Sequence, residues 1–225
     1  LLSPRVRSFV ARTFLHDVEA GEGELRTLSL MGLDQLLRTG GFEEPPDQVA
    51  LLSILRRVYD RADGEQRRLV LRCIHGAGRA AAAWSGWLSE VALRGDGVRP
   101  AALLALAATG LAPAEFAALR AAWSSWPTED RVAFVRLAER QPVDAAACCE
   151  LLVVAFADSA AGVRAQAALG ALGFPEAVIV ATAARLVGVE PDSPEAGLGY
   201  ALLAARARMA DRPFAGLFGE GSEVL

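Results

Sequence analysis

The side chains best suited to catalysis or metal binding are few in this sequence. There are two histidines, His16 and His75, and three cysteines, Cys73, Cys148 and Cys149. A zinc site needs several His or Cys ligands at suitable spacing, and the two histidines are far apart in the sequence. Cys73 and His75 are two positions apart, which on a helix places them on different faces. We therefore expect buried cysteines, no metal site and no other cofactor.

Common catalytic motifs are also missing from the sequence. All 23 basic residues are Arg, so no Gly-rich loop ends in the Lys of a Walker-type nucleotide site. No Gly-x-Ser-x-Gly nucleophile motif is present. The adjacent carboxylates Glu43 and Glu44 lie in a polar turn with no acid–base context. These observations predict a protein that is not an enzyme.

One stretch of the chain is basic although the protein is acidic overall. The net charge of the whole chain is −4, yet residues 56–79 contain seven Arg and only three acidic residues. Arg68 and Arg72 are four positions apart and so share a helix face, where they could receive an acidic helix or loop, or phosphates. The alternative is pairing within the molecule, with the acidic clusters at 17–24 and 43–47. The overall charge gives no support for specific binding to nucleic acid or to an anionic membrane.

Four tryptophans occur in two similar motifs, WSGW at 84–87 and WSSW at 123–126. Because Trp is enriched in binding hot spots, Trp84, Trp87, Trp123 and Trp126 could form an aromatic patch for a partner. The alternative is that they fill core space left by the many alanines. Trp126, beside Pro127 at the end of a helix, is expected to be the most exposed of the four.

The elements that position these residues are predicted to be helices. A Pro, Ser, Asp or Gly repeatedly opens a segment with a 3.6-residue apolar period, which a Gly or Asp-Gly then closes. Strand signals are nearly absent, and no apolar run is long enough to span a membrane. The predicted helices begin near Ser3, Gly23, Pro46, Asp63, Arg79, Gly97, Pro113, Pro127, Pro142, Ala160, Pro175 and Ser193.

The helices fall into repeated pairs. DGVRPAALLALAATG at 96–110 and DSAAGVRAQAALGALG at 158–173 share an Asp, then Val-Arg, then small and aliphatic residues, then Gly. Fainter copies occupy 23–33, 63–76 and 128–139. An Arg lies near the start of the second helix of each pair: Arg26, Arg67, Arg99, Arg131 and Arg164. From Arg67 onward these Arg are 32 or 33 residues apart, and a repeat of about that length is typical of helical solenoids.

This pattern resembles the HEAT-repeat family, in particular its short bacterial variety. The resemblance implies an all-α fold, a right-handed α-solenoid of about six helix pairs, with one domain over 1–210. Residues 211–225 are Gly-rich and lack helical periodicity, so we expect them to form a C-terminal tail. It also implies that an Asp before each second helix and an Arg within it form a ladder between neighbouring repeats. The pairs that fit are Asp63 with Arg67, Asp96 with Arg99 and Asp158 with Arg164. The alternative is that these Arg form an anion-facing stripe.

The function expected from this resemblance is a protein-interaction scaffold or adaptor. Its concave face, lined by the second helices, would hold a partner protein. The enzymes of similar fold are HEAT-like DNA glycosylases and bilin lyases, and these remain alternatives, as does a scaffold domain within a longer bacterial signalling or defence protein. An odd number of cysteines and the absence of a signal-peptide pattern in LLSPRVRSF predict a cytoplasmic location.

Overall fold

The computed structural model describes residues 4–39, 45–141, 144–188 and 193–209. Within those residues the chain forms twelve α-helices and one 3₁₀ helix, and no β-strand. The α-helices are α1 (Pro4–Ala20), α2 (Gly23–Arg38), α3 (Pro45–Arg61), α4 (Gly64–Ala77), α5 (Ser85–Arg94), α6 (Arg99–Thr109), α7 (Pro113–Trp123), α8 (Thr128–Arg140), α9 (Ala145–Phe156), α10 (Ala161–Ala171), α11 (Glu176–Val187) and α12 (Pro194–Met209). The 3₁₀ helix is Gly78–Trp84. The predicted all-α fold is confirmed for the described residues.

Local chemistry explains where the helices begin. Helix α4 follows Asp63, whose carboxylate accepts a hydrogen bond from the Gln66 backbone N–H at 2.9 Å, and Asp144 caps α9 in the same way through Ala147. Such a cap satisfies backbone donors that have no partner inside the helix. Helices α7 and α12 instead begin at a Pro, which loses nothing at a first helical position because that N–H would be unpaired.

Eleven of the twelve predicted helix starts lie within three residues of the observed ones. The exception is the helix predicted to begin at Arg79. Here Gly78 has a positive φ of 59°, which redirects the chain at the end of α4, and the 3₁₀ helix Gly78–Trp84 connects α4 to α5. Short 3₁₀ segments are common as such connectors, and this one buries Ala81 completely.

The chain divides into two compact units, Leu1–Glu115 and Phe116–Leu225. In the first unit α2 packs against α1 and α4, and α4 packs against α2, α3 and α6. Helix α5 packs against α6, and α1 against α3. Each helix therefore contacts mainly the next helix in the chain or the next but one. Fully buried leucines fill the space between the helices, among them Leu30, Leu33, Leu55, Leu71 and Leu103.

Packing in the second unit follows a similar order. Helix α8 packs against α10, α9 against α10 and α11, and α11 against α12. Phe116 and Phe134 are fully buried there with ring centroids 5.2 Å apart. Alternate helices thus contact one another in each unit. The continuity of the repeat through 1–210 stays a prediction, and the predicted tail, 211–225, lies outside the described residues.

Candidate functional site

Of the residues considered for catalysis or metal binding, the three cysteines are buried and His16 is exposed, while Glu43 and Glu44 lie outside the described residues. Cys73, Cys148 and Cys149 are buried free thiols, as predicted. The Cys73 thiol donates to the Leu30 carbonyl oxygen at 3.4 Å, and burial raises its pKa, so it stays a neutral thiol. His75 Nδ1 lies 3.0 Å from a backbone oxygen on α6. In the part of the chain that the structure describes, no three His, Cys, Asp or Glu side chains converge on a possible metal position.

The repeated Arg of the second helices has a common role in the first unit. Arg26 Nε donates to Val18 O at 3.1 Å, Arg67 Nε to Tyr59 O at 3.2 Å, and Arg99 Nε to Ala92 O at 2.6 Å. Each acceptor belongs to the last turn of the first helix of the same pair. Carbonyl groups there have no partner within their helix and form the negative end of its dipole. Each Arg therefore joins the two helices of one pair.

This finding corrects the acid–Arg pairs implied by the family resemblance. The carboxylate of Asp63 caps α4 rather than pairing with Arg67. In the second unit Arg164 Nη1 donates to the backbone oxygens of Asp158 and Ser159, at 2.7 and 2.9 Å, and not to the Asp158 carboxylate. The physical reason is competition. Backbone N–H groups at the start of the helix already hold the acid, and carbonyl oxygens lie closer to the Arg.

The third implied pair, Asp96 with Arg99, is also replaced. Arg99 reaches the end of α5, whereas Asp96 is exposed in the Gly95–Asp96–Gly97 turn with a φ of 21°. A Cβ at Gly95 would lie 2.5 Å from Arg99 Nη2. The turn is thus shaped so that the guanidinium lies against a residue without a side chain.

An acid–Arg pair does link neighbouring helix pairs in the second unit. Arg131 of α8 pairs with Asp158, in the turn before α10, with Nη2 3.2 Å from Oδ1. The same carboxylate accepts from the Ala160 N–H at 2.8 Å, and the guanidinium lies over the Trp123 ring. An Asp before a second helix therefore does bind an Arg of the adjacent pair, but the Arg is 131 rather than 164.

In the first unit neighbouring pairs are linked through a different acid, Asp34 of α2. Its carboxylate is almost completely buried and accepts from Arg38 Nε at 2.9 Å and from Arg72 Nη2 at 2.6 Å. Arg72 belongs to α4, so the contact joins the second helices of the first two pairs. Sequence reasoning missed Asp34 because it lies mid-helix between leucines, where only its spacing of four from Arg38 indicated a partner.

The tryptophans fill the core, with one partial exception. Trp87, Trp123 and Trp126 are buried, and Trp84 is half-buried with its ring edge-on to Trp87. The prediction that Trp126 is the most exposed was wrong, since only 5% of it is exposed. Its ring packs edge-to-face on Phe134, because the chain turns at the following Pro into α8. The three buried rings are not accessible to a partner, so the aromatic-patch hypothesis does not hold for them.

Arg68 and Arg72 both lie on the exposed side of α4, as their spacing predicted. Arg72 nevertheless pairs within the molecule with Asp34, an acid outside the clusters at 17–24 and 43–47 that the intramolecular alternative named. Arg68 makes one long contact, from Nε to the Gly97 carbonyl oxygen at 3.5 Å. Arg68 is therefore the member of the pair whose charge is directed mainly to solvent.

Apolar side chains are exposed on α2 and α6, the two second helices that pack against α4. On α2 the exposed fractions are 53% for Leu25, 57% for Leu28 and 54% for Met31, and Leu104 of α6 is 38% exposed. The sequence carried a signal for this: GELRTLSLMGLDQLLR has more large apolar residues than one buried stripe requires. We call the exposed surface of α2, α4 and α6 that includes Leu28, Met31, Arg68, Arg72 and Leu104 the second-helix face.

Comparison with known proteins adds no identification. No protein-family model matches the chain, and no curated protein is significantly similar to it. Among the helices of the described residues, none has the length and apolar character needed to cross a bilayer.

Proposed function

We propose that this protein is a non-enzymatic interaction module that binds a partner protein through its second-helix face. The observation that supports this is the exposure of Leu28 and Met31 on α2 and of Leu104 on α6, two second helices that both pack against α4. Scattered exposed apolar residues are ordinary, but several on one face next to charged groups are typical of a binding surface.

The proposal includes the architecture implied by the HEAT resemblance. In a right-handed solenoid of about six pairs, the second helices line the concave surface, and the first helices lie outside. Contacts between neighbouring and alternate helices, such as α1 with α2, α2 with α4, α4 with α6, α8 with α10 and α9 with α11, support this arrangement. The buried free thiols support a reducing, cytoplasmic location.

Site-specific photocrosslinking in cells of the native host tests the proposal. A photoreactive amino acid is placed at Leu28 or at Leu104 on the second-helix face. Matched control positions are Phe9 and Val49, which are exposed apolar residues on the first helices α1 and α3. Mass spectrometry then identifies any protein joined to the chain.

We expect the same partner to be crosslinked from Leu28 and from Leu104, and not from Phe9 or Val49. Crosslinks that arise only from Phe9 and Val49 would place the binding surface on the first helices. No specific crosslink from any of the four positions would argue against an interaction module.

A further inference from the structure

Equivalent positions of the second helices differ in burial between α2 and the helices that follow it. In the first unit, the three arginines that bond to first-helix carbonyls mark these positions, and the residues just before them are Leu25, Gln66 and Val98. Gln66 and Val98 are only 4% and 1% exposed, whereas Leu25 is 53% exposed. Two positions after the same arginines, Leu28 of α2 is 57% exposed and Leu69 of α4 is 7% exposed. Positions that are buried on α4 are thus open on α2.

Helix α4 presents these positions to α2. Gln66 Nε2 donates to Gly23 O at 3.1 Å, and the Cys73 thiol donates to a backbone oxygen of α2. A Cβ at Gly76 would lie 3.0 Å from Leu37 Cβ. The first contact joins the starts of the two helices and the last joins their ends, so α4 runs parallel to α2. Spacings of three and four residues put the contacting positions on one side of α4, which we call its stacking flank: 66, 69, 73 and 76.

The stacking flank of α2, by the same spacing from its repeated Arg, consists of positions 25, 28, 32 and 35. It carries no charged side chain, and it shares Leu28 with the second-helix face. At Gly32 the Phe14 ring of α1 lies over the backbone, since a Cβ there would lie 2.6 Å from Phe14 Cζ. An outer face of a repeat that is left in water is ordinarily polar, but this flank has two exposed leucines. Its chemistry is that of a surface against which a helix packs.

The polar contacts of α4 have no counterpart on α2, and this limits which helix fits. Leu25 replaces Gln66, and Met31 replaces Arg72, which on α4 pairs with the buried carboxylate of Asp34. A helix on this flank therefore meets no donor for an acidic side chain at those positions. A buried carboxylate without a partner is costly. The helix that fits presents an apolar, uncharged face.

We propose that a helix of the partner protein packs on the stacking flank of α2, parallel to α2 and in the register that α2 has on α4. The inference rests on the proposed function and specifies which element of the partner contacts α2. It follows from continuity with the interface between α2 and α4, because the same positions receive a helix one pair later. Apolar residues three and four apart on the bound helix form a ridge that lies on Leu25, Leu28 and Met31.

Fluorescence anisotropy with a defined probe tests this inference on the full chain. The probe is a labelled peptide of Leu, Ala and Gln, constrained to a helix, with four Leu on one face at successive spacings of three, four and three residues. One comparison peptide has Asp in place of the third Leu, the position that Asp34 has on α2, and another is a scrambled peptide. We expect the neutral peptide to bind, the scrambled peptide not to bind, and the Asp peptide to bind about tenfold more weakly than the neutral one.

Variants of the protein locate the site and its register. We expect Leu25→Gln and Leu28→Gln each to weaken binding of the neutral peptide by about fivefold or more, as for hot-spot residues. The matched control Val49→Gln replaces an exposed residue of α3 and should leave affinity unchanged. Met31→Arg restores the side chain that α4 has at Arg72, so the Asp peptide should bind this variant more tightly than the wild type, and the neutral peptide should not. Thermal melts establish that all four variants are folded.

Each contrary result has its own meaning. Equal binding of the neutral and scrambled peptides would overturn the inference, and so would an unchanged preference for the neutral peptide in Met31→Arg. Failure of the neutral peptide to bind while crosslinks still form at Leu28 would also overturn it, and the proposed function would then stand without this helix. A concentration-dependent dimer in sedimentation velocity that Leu28→Gln abolishes would identify the occupant as a second copy of the chain, again contrary to the inference.

Discussion

Arg72 of α4 lies with Nη2 2.6 Å from Oδ2 of Asp34 on α2. Arg38 holds the other oxygen of the same carboxylate from one turn further along α2. A buried carboxylate is costly unless it is paired and hydrogen-bonded, and here both oxygens have a guanidinium partner. The contact fixes how far α2 and α4 are shifted along one another, because only one register brings Arg72 to Asp34. Arg72 therefore stabilises the packing of α4 against α2.

Replacing Arg72 should therefore destabilise the fold more than replacing Arg68. We expect Arg72→Gln to lower the free energy of unfolding by about 1 kcal/mol or more, since it removes a charged hydrogen bond to a buried acceptor from a half-exposed side chain. Arg68→Gln, on the same helix, should change it by less than about 0.5 kcal/mol. Urea denaturation measures both. Equal losses would mean that the Asp34 contact does not stabilise the unit.

The turn between α5 and α6 offers a second test. Gly95 and Gly97 have positive φ values of 89° and 68°, so Ala is strained at either position. A Cβ at 95 also meets the Arg99 guanidinium, whereas the space at 97 is open. We expect Gly95→Ala to cost about 1 kcal/mol more than Gly97→Ala, and Arg99→Ala alone to cost about 1 to 3 kcal/mol through its bond to Ala92 O.

A double-mutant cycle separates the two effects at this turn. In an Arg99→Ala background no guanidinium opposes a Cβ at 95, so Gly95→Ala should cost about 1 kcal/mol less there than in the wild type. Unfolding by urea, followed by circular dichroism, gives the four free energies. If the extra cost of Gly95→Ala persists without the Arg99 side chain, the contact between these residues is not its cause.

The helices could be predicted closely because their limits depend on local chemistry. Asp63 caps α4 and Pro113 begins α7 where the sequence predicted helices to start. The acceptors of the repeated Arg could not be predicted this way. Whether Arg67 meets the Asp63 carboxylate or the Tyr59 carbonyl depends on how closely two helices approach, which spacing along one helix does not determine.

The second-helix face was predicted only in part. Four-residue spacing placed Arg68 and Arg72 on one side of the helix, but it could not indicate that Arg72 forms an ion pair with Asp34. Trp126 was misjudged for a related reason. The adjacent Pro marks a helix end correctly, yet the ring is buried because Phe134, eight residues on, folds back against it. Contacts between helices determine both the partner of Arg72 and the burial of Trp126.

In the second unit, the bridge between Arg131 and Asp158 predicts unequal effects of two similar substitutions. Asp144 caps the start of α9. Asp158 accepts from the Ala160 N–H in the turn before α10 and also pairs with Arg131. We expect Asp144→Ala to cost about 1 kcal/mol, the usual loss of a cap. Asp158→Ala should cost about 1 to 2 kcal/mol more, because it leaves a mostly buried guanidinium without its acid. Chemical denaturation measures the difference, and equal losses would contradict a stabilising bridge.

The last prediction concerns stability at alkaline pH. Burial, and to a lesser extent the Asp34 carboxylate, raises the pKa of the Cys73 thiol above its ordinary 9.0, although Arg72 and Arg38 oppose the shift. In the unfolded chain the thiol loses its proton near pH 9, while in the folded chain it keeps it. Above pH 9 the folded state therefore binds more protons, so the free energy of unfolding falls as the pH rises. Below pH 9 both states are protonated and this group has no effect.

A Cys73→Ser variant isolates the contribution of this thiol, because a hydroxyl can donate to Leu30 O but does not titrate in this range. Burial also raises the pKa of Tyr59 above 10.0, so both proteins should lose stability above pH 10. Between pH 9 and 10 only the wild type should show the added slope, at most about 1.4 kcal/mol per pH unit. Urea midpoints measured every half unit from pH 8 to about 10.5 test this. Parallel curves for the two proteins would show that Cys73 titrates alike in the folded and unfolded chains, which its hydrogen bond and burial argue against.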